Sequence, residues 1–353
     1  MASAALLVEQ NWNATPRGAT RATNSYAAAL LEHSDIELTG VHGKHRGDPP
    51  LALPGGLPTI EIPLPGKVLI EGWNRSRRPD VDRWIDADVV HAPNYVLPAT
   101  SKPLVATIHD LALLRHPEWF TPTGVAVFLR FFKRVIEENL SVFVPSQATA
   151  DDCAFRGISE RRIHVIPWGI DVEPAGEDEI ELARNKYQLP DEFVLFVGTL
   201  EPRKNLRTLS LAMKQHGDLP LLVAGPTDWG DTEVPNARML GRIPEGEIEP
   251  LIAAATMLAY PSHLEGFGLP VLEAMGQRTP VVTTKGTAPA DILADAGLAV
   301  DTRSPKAIAD AIGQLRSNPA EREAMGRLGR DRAKTYRWEA TAKRAAATYE
   351  MLS

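Results

Sequence analysis

At 353 residues the chain is too long for one ordinary core, and two domains of similar size are the first expectation. A formal net charge of -7 excludes a protein whose main task is neutralising a nucleic-acid backbone, and a single cysteine, Cys153, excludes both an intrachain disulfide and a thiolate metal cluster. The 44% apolar and 24% charged content suits a folded, water-soluble protein, the lone cysteine fits a reducing cytoplasm, and no run approaches the roughly 18 apolar residues needed to cross a bilayer.

In chain order, short apolar runs alternate with amphipathic helical stretches, the pattern of parallel βαβ units with helices on both faces of a sheet. The N-terminal residues lack a basic leader and read as a first strand rather than a signal peptide. Strands are expected at 5–8, 36–41, 89–91, 104–108, 141–144 and 163–166. A second series follows at 193–197, 221–224, 257–260, 280–283 and 298–300, which makes the fold class α/β, with two doubly wound, Rossmann-like domains facing across a cleft. Between the series, Trp168-Gly169-Ile170-Asp171 and the acidic stretch 173–181 mark a hinge, placing the domains at 1–169 and 170–337. Two helical stretches are expected after the last strand, the final one, 338–353, packing back on the first domain.

The strongest chemical signal is Pro261-Ser262-His263-Leu264-Glu265-Gly266-Phe267-Gly268-Leu269-Pro270-Val271-Leu272-Glu273, where a strand ends, a glycine-rich loop follows and a helix begins. Glycines let the backbone approach a ligand, and a new helix offers amides and its positive dipole end to a phosphate. Glu265 falls in the loop and Glu273 about a turn into the helix, where carboxylates suit the paired hydroxyls of ribose and sugar rings; helix capping is the plainer reading. In Val197-Gly198-Thr199-Leu200-Glu201-Pro202-Arg203-Lys204-Asn205 a buried strand empties into two adjacent cations. Alone these would be a solvated pair, but beside the downstream loop Arg203 and Lys204 suit a leaving diphosphate, whose charge grows in the transition state. In Ala106-Thr107-Ile108-His109-Asp110-Leu111, His109 follows a first-domain strand at its carboxyl end, where open α/β sheets place ligand contacts. His91-Ala92-Pro93-Asn94-Tyr95 reads as a neighbouring loop of the same rim, and Asp110 either orients the imidazole or caps the next helix.

The E-x7-E element of Glu265 and Glu273 resembles the hallmark of the retaining GT-B glycosyltransferases of family four, and the similarity spans nearly the whole chain. The resemblance implies that Glu273 holds the nucleotide ribose and Glu265 the transferred sugar, with backbone amides from Gly266, Phe267, Gly268 and Leu269. It implies further that Gly198 and Thr199 border the donor, that His109 touches the sugar near the reacting carbon, and that backbone groups around Gly241-Arg242-Ile243 read the base. The first loop, Pro16-Arg17-Gly18-Ala19-Thr20-Arg21, matches a segment that closes on the diphosphate or the acceptor, with Gly18 kept and Arg21 a candidate contact. The implied enzyme uses a nucleotide-sugar donor, GDP-mannose favoured, and a glycan or lipid-linked acceptor. It needs no metal or other cofactor, and retention follows from front-face displacement in which the leaving phosphate takes the acceptor's proton. Two alternatives stay open: an epimerase or phosphorylase of the same architecture, and a sugar-nucleotide-binding protein without catalysis, suggested by Thr199, where relatives often carry Arg.

Two further features compete for a function. Asp86-Ala87-Asp88 has the spacing of a divalent-cation motif but leads straight into a strand, and capping of that strand's entry is its expected work. Phe128-Leu129-Arg130-Phe131-Phe132-Lys133-Arg134 mixes aromatics and cations on a helix. It is read first as a core stripe of Phe128, Phe132, Val135 and Ile136, with peripheral contact to an anionic membrane as the second reading.

Overall fold

The short apolar runs become the strands of two parallel sheets. The computed structural model describes residues 2–14, 18–171, 173–226, 234–244 and 246–353. They divide into one unit of Met1–Gly169 with Trp338–Ser353 and another of Ile170–Arg337. In the first unit β1 (Ser3–Leu7), β2 (Glu37–Lys44), β3 (Thr59–Pro65), β4 (Val89–Ala92), β5 (Leu104–Thr107), β6 (Ser141–Val144) and β7 (Ile163–Val165) form one sheet in the order β3-β2-β1-β4-β5-β6-β7. In the second, β8 (Val194–Val197), β9 (Leu221–Ala224), β10 (Ala237–Gly241), β11 (Met257–Tyr260), β12 (Val281–Thr284) and β13 (Leu298–Val300) run β10-β9-β8-β11-β12-β13. Every pairing is parallel. Each sheet therefore reverses its winding once, between β1 and β4 and between β8 and β11, and the carboxyl ends at such a switch point are where open α/β sheets bind ligands.

Burial explains which runs become central strands. β4, β5, β6, β9 and β11 are buried at every residue, as parallel strands covered on both faces must be. Two strands lie outside the sequence expectation, β3 and β10, and both are edge strands. β3 contains Pro63 and Pro65, which only an edge tolerates because proline has no N–H for the ladder, and β10 exposes Arg238 and Met239.

The expected hinge at 173–181 is shorter than the sequence suggests, because the helix Glu177–Tyr187 starts inside it, its first turn carrying Glu177, Asp178 and Glu179 where the helix dipole favours acids. After β13 there are three helices rather than two. Asn318 accepts a hydrogen bond from the Glu321 amide at 3.2 Å and Pro319 occupies the first turn, splitting Pro305–Ser317 from Pro319–Ala333. The last helix, Trp338–Leu352, belongs to the first unit and is pinned there from within: the Tyr349 hydroxyl lies 2.6 Å from that of Tyr26 and 2.6 Å from His91 Nδ1, while His91 Nε2 meets Thr107 Oγ1 at 2.7 Å.

On the helix Pro122–Glu137 the buried residues are Phe128, Phe131, Phe132 and Val135, so the aromatics are core. Ile136, expected among them, is instead exposed, as is Leu129; Phe131 takes the inward position. Asp88 accepts hydrogen bonds from the Ser3 amide and hydroxyl, both at 2.8 Å, and so caps the entry of β1 and β4.

Candidate functional site

At the switch point of the second unit, β8 and β11 deliver opposite charges to one place. A 3-10 turn, Pro202–Lys204, follows β8 and sets Arg203 and Lys204 side by side. The loop after β11 supplies Glu265. Lys204 Nζ donates to Glu265 Oε1 at 2.6 Å, Arg203 Nη1 donates to Oε2 at 2.9 Å, and Arg203 Nη2 reaches Glu201 Oε1 at 3.0 Å. The Tyr260 hydroxyl completes the group, accepting from Lys204 Nζ at 2.8 Å and donating to Glu265 Oε1 at 3.0 Å.

The Lys204 and Glu265 side chains are each 8% exposed, so these charges are held in a poorly solvated place and each needs the others. Burial alone would raise the Glu265 carboxyl, but the Arg203 and Lys204 charges hold it down at about 2. Burial pulls the Lys204 ammonium below its ordinary range against the opposing pull of Glu265, and pushes the Tyr260 hydroxyl well up, so the tyrosine is a neutral link.

The surrounding backbone is built for close approach. Gly198, Gly225 and Gly241 end β8, β9 and β10 with φ of +151°, +154° and +72°. A Cβ on Gly225 would lie 1.9 Å from the Gly198 carbonyl oxygen, so the turn after β9 admits no side chain there. Thr199 turns its hydroxyl to Glu201 Oε1 at 2.8 Å, and Arg242 is exposed beyond β10 while Ile243 is buried. Gly268 caps the helix Leu269–Gly276 at φ +107°, where a Cβ would strike the Pro289 ring. The helix start offers fewer donors than the sequence suggests: Pro270 has no N–H, and the amides of Val271 and Leu272 both return to the Gly268 carbonyl. Phe267 is buried and packs edge-on against Tyr336, and Glu273 sits part-buried on the fifth residue of the helix.

In the first unit His109 follows β5 and is part-buried. Its Nε2 donates to the Pro93 carbonyl oxygen at 2.9 Å, since a carbonyl can only accept, and its ring lies 5.8 Å from that of Trp168. Burial lowers its pKa, so the ring is neutral and presents Nδ1 as an acceptor. Asp110 caps the next helix by accepting from the Ala112 amide at 2.9 Å. His91, expected both at the end of a strand and in a loop of the same rim, lies inside β4, 1% exposed, with burial taking its pKa down to about 3. Gly18 opens the helix Gly18–His33 and is exposed, and Arg21 lies on that helix; Pro16 and Arg17 fall outside the described residues. Arg203, Lys204 and Glu265 are thus brought together with two residues the sequence reading passed over, Tyr260 and Glu201. His109 and Gly18 stand in the other unit.

Two family models match the chain in succession: Glycosyltransferase Family 4 over residues 16–174 and Glycosyl transferases group 1 over residues 178–332. O-antigen chain mannosyltransferase B of Escherichia coli is 30% identical over 312 residues, 81% of this chain and 81% of that protein. Among solved structures, sucrose-phosphate synthase from Thermosynechococcus elongatus superposes with a TM-score of 0.78 at 20% identity, covering 100% of this chain and 99% of that one. Anabaena HepE, in complex with UDP and glucose, does so with a TM-score of 0.76 at 16% identity, covering 100% of both chains.

Proposed function

The chain belongs to the group 1 glycosyltransferases of family 4, and on that premise we propose that it moves a hexose, mannose favoured, from a nucleoside-diphosphate sugar to a hydroxyl of a glycan or lipid-linked acceptor, with retention and without a metal ion. The observation that carries the reading is the Arg203–Lys204–Glu265 cluster at the switch point of the second unit. As the glycosidic bond breaks, charge builds on the leaving diphosphate, and cations already fixed in place stabilise it most in the transition state. Arg203 and Lys204 supply that charge. Glu265, kept ionised, accepts hydrogen bonds from the sugar's hydroxyls, and Glu273 serves the ribose. His109, a neutral ring whose donor is spent on Pro93, accepts a hydroxyl hydrogen bond through Nδ1 rather than donating one. No carboxylate is assigned as a covalent nucleophile, and the acceptor's proton passes to the leaving phosphate. The mannose preference is supported by the similarity to the E. coli mannosyltransferase.

Calorimetric titration with GDP, UDP, dTDP and ADP in excess chelator tests the donor reading. One diphosphate is expected to bind in the micromolar range and to weaken at least tenfold in Lys204→Ala and Glu273→Ala. Binding that requires a metal, or that ignores both substitutions, overturns it.

A further inference from the structure

A second group of cations gathers in the second unit, at the far end of the helix that starts in the glycine-rich loop. That helix, Leu269–Gly276, runs for eight residues, about 12 Å, and is followed by Gln277 and Arg278. Arg278 lies in the left-handed region at φ +61°. The helix Pro319–Ala333 is pressed onto this turn through its buried glycines: a Cβ on Gly326 would collide with the Arg278 carbonyl oxygen, and one on Gly329 would lie 3.4 Å from Met275. This seating brings Arg327, Arg330, Asp331 and Lys334, spaced i, i+3, i+4 and i+7 and so on one face, beside Arg278. Together the five line a recess of about 310 Å³.

The recess carries more positive charge than its own acids balance. Lys334 Nζ donates to Asp331 Oδ1 at 2.7 Å, and Arg327 pairs with Glu323 one turn earlier. Among the described residues Arg278 and Arg330 form no ion pair, which leaves two positive charges in excess on a chain whose net charge is -7. Both guanidiniums are close to the Asp331 carboxyl: the Lys334 bond lowers its pKa most, and the charges of Arg278 and Arg330 add to the effect. Arg278 is exposed, whereas Arg330 is part-buried and its Nε is shut away from water without a hydrogen bond. That atom can only donate, and a buried donor of a charged group is costly to leave unpaired. Cations at the carboxyl ends of two helices also complement the helix dipoles, but that role requires neither a recess nor an unbonded Nε.

We propose that Arg278, Arg330 and Lys334, with Arg327 at the rim, form a second anion site that takes a phosphate group, either free phosphate or the headgroup of a phospholipid. Guanidinium forks match the paired oxygens of a phosphate, and its oxygens can be shared between two forks and an ammonium. Asp331 already has Lys334 as its counter-charge, so the two arginines remain to meet the ligand. Leu328, 49% exposed next to Arg327, gives the rim an apolar neighbour that a lipid could use. The site shares no residue with the cluster of Arg203, Lys204 and Glu265, and it stands whether or not the donor reading does.

Two assays on wild type, Arg278→Gln, Arg330→Gln and Lys204→Ala test it, both in about 0.15 M chloride so that loose surface attraction is screened. One is equilibrium dialysis against radiolabelled inorganic phosphate. The other is co-sedimentation with vesicles of phosphatidylcholine alone or of phosphatidylcholine with phosphatidylglycerol. Wild type is expected to retain phosphate, which marks the free anion as the source, or to sediment only with the phosphatidylglycerol vesicles, which marks a headgroup. Whichever binding occurs should weaken at least about fivefold in each arginine variant and persist in Lys204→Ala. Arg278→Gln, at an exposed position, should keep the wild-type thermal midpoint and donor-nucleotide affinity. Neither kind of binding in wild type, binding that both arginine variants keep, or binding that only Lys204→Ala loses overturns the site.

Discussion

The two units share a strand order, but they furnish the place where the winding reverses oppositely. After β8 and β11 stand two cations, Arg203 and Lys204, and two carboxylates, Glu201 and Glu265, that neutralise one another through direct bonds. After β1 and β4 stand the neutral amides of Gln10, Asn11 and Asn94, three of whose polar atoms are left unpaired. A buried charge cannot be left waiting for a ligand, because desolvation without a counter-charge costs several kcal/mol, whereas a buried amide can wait at a cost of about 1–3 kcal/mol. Buried charges must therefore be assembled already paired, whereas buried amides can be left unpaired.

The largest effect should come from breaking the ion cluster. Glu265→Gln leaves Arg203 and Lys204 adjacent without their shared anion. A loss of about 3–5 kcal/mol in denaturant stability is expected, with transfer slowed by about 10²–10³-fold. Unchanged stability would mean that solvent reaches these charges and that the contrast between the units is false.

Acid should separate the units next. His91 is held neutral with a pKa of about 3, below the ordinary 6.5, so the unfolded chain takes its proton first. Stability from this group is whole above pH 6.5 and drains as pH falls toward 3. Glu265 is depressed from 4.5 to about 2, so its contribution, about 3 kcal/mol, is whole above pH 4.5 and drains below it. Stability measured from pH 7 to pH 2 should have a shallower upper slope in His91→Gln and a shallower lower slope in Glu265→Gln.

How far these regions were legible follows from where their residues sit. Strands covered on both faces declare themselves as apolar runs, which is why the centre of each sheet could be read. β3 and β10 could not, because an edge accepts Pro63 and Pro65 or exposes Arg238, and so erases the hydrophobic signal. β7 and β13 are edges too, but their runs happen to be apolar. Arg203, Lys204 and Glu265 were marked by their neighbours in the chain. Tyr260 was not, since a tyrosine ending a buried strand looks like core until the fold brings Lys204 and Glu265 to its hydroxyl. His91 reads both as the end of a strand and as part of a rim loop; the strand reading holds, and the partners that bury its ring, Tyr349 and Thr107, are 258 and 16 residues away.

Tyr260→Phe sharpens the comparison by deleting one neutral hydroxyl from the charged site. Transfer is expected to fall about tenfold, the worth of one such bond in a buried network. The hydroxyl accepts from Lys204 and so favours its charged form; without it the Lys204 pKa drops further, and the alkaline limb of the pH–rate profile should move to lower pH. A rate loss without that movement would reduce Tyr260 to packing.

The smallest effect has the opposite sign. Gln10 Nε2 is buried without a partner, so replacing the side chain by leucine, of similar volume, removes an unpaid desolvation rather than a bond. Gln10→Leu is expected to leave thermal stability unchanged or to raise it by up to about 1 kcal/mol, while Tyr260→Phe lowers it. If Gln10→Leu instead destabilises the chain, the amide has a partner within the fold, and the two switch points are furnished alike.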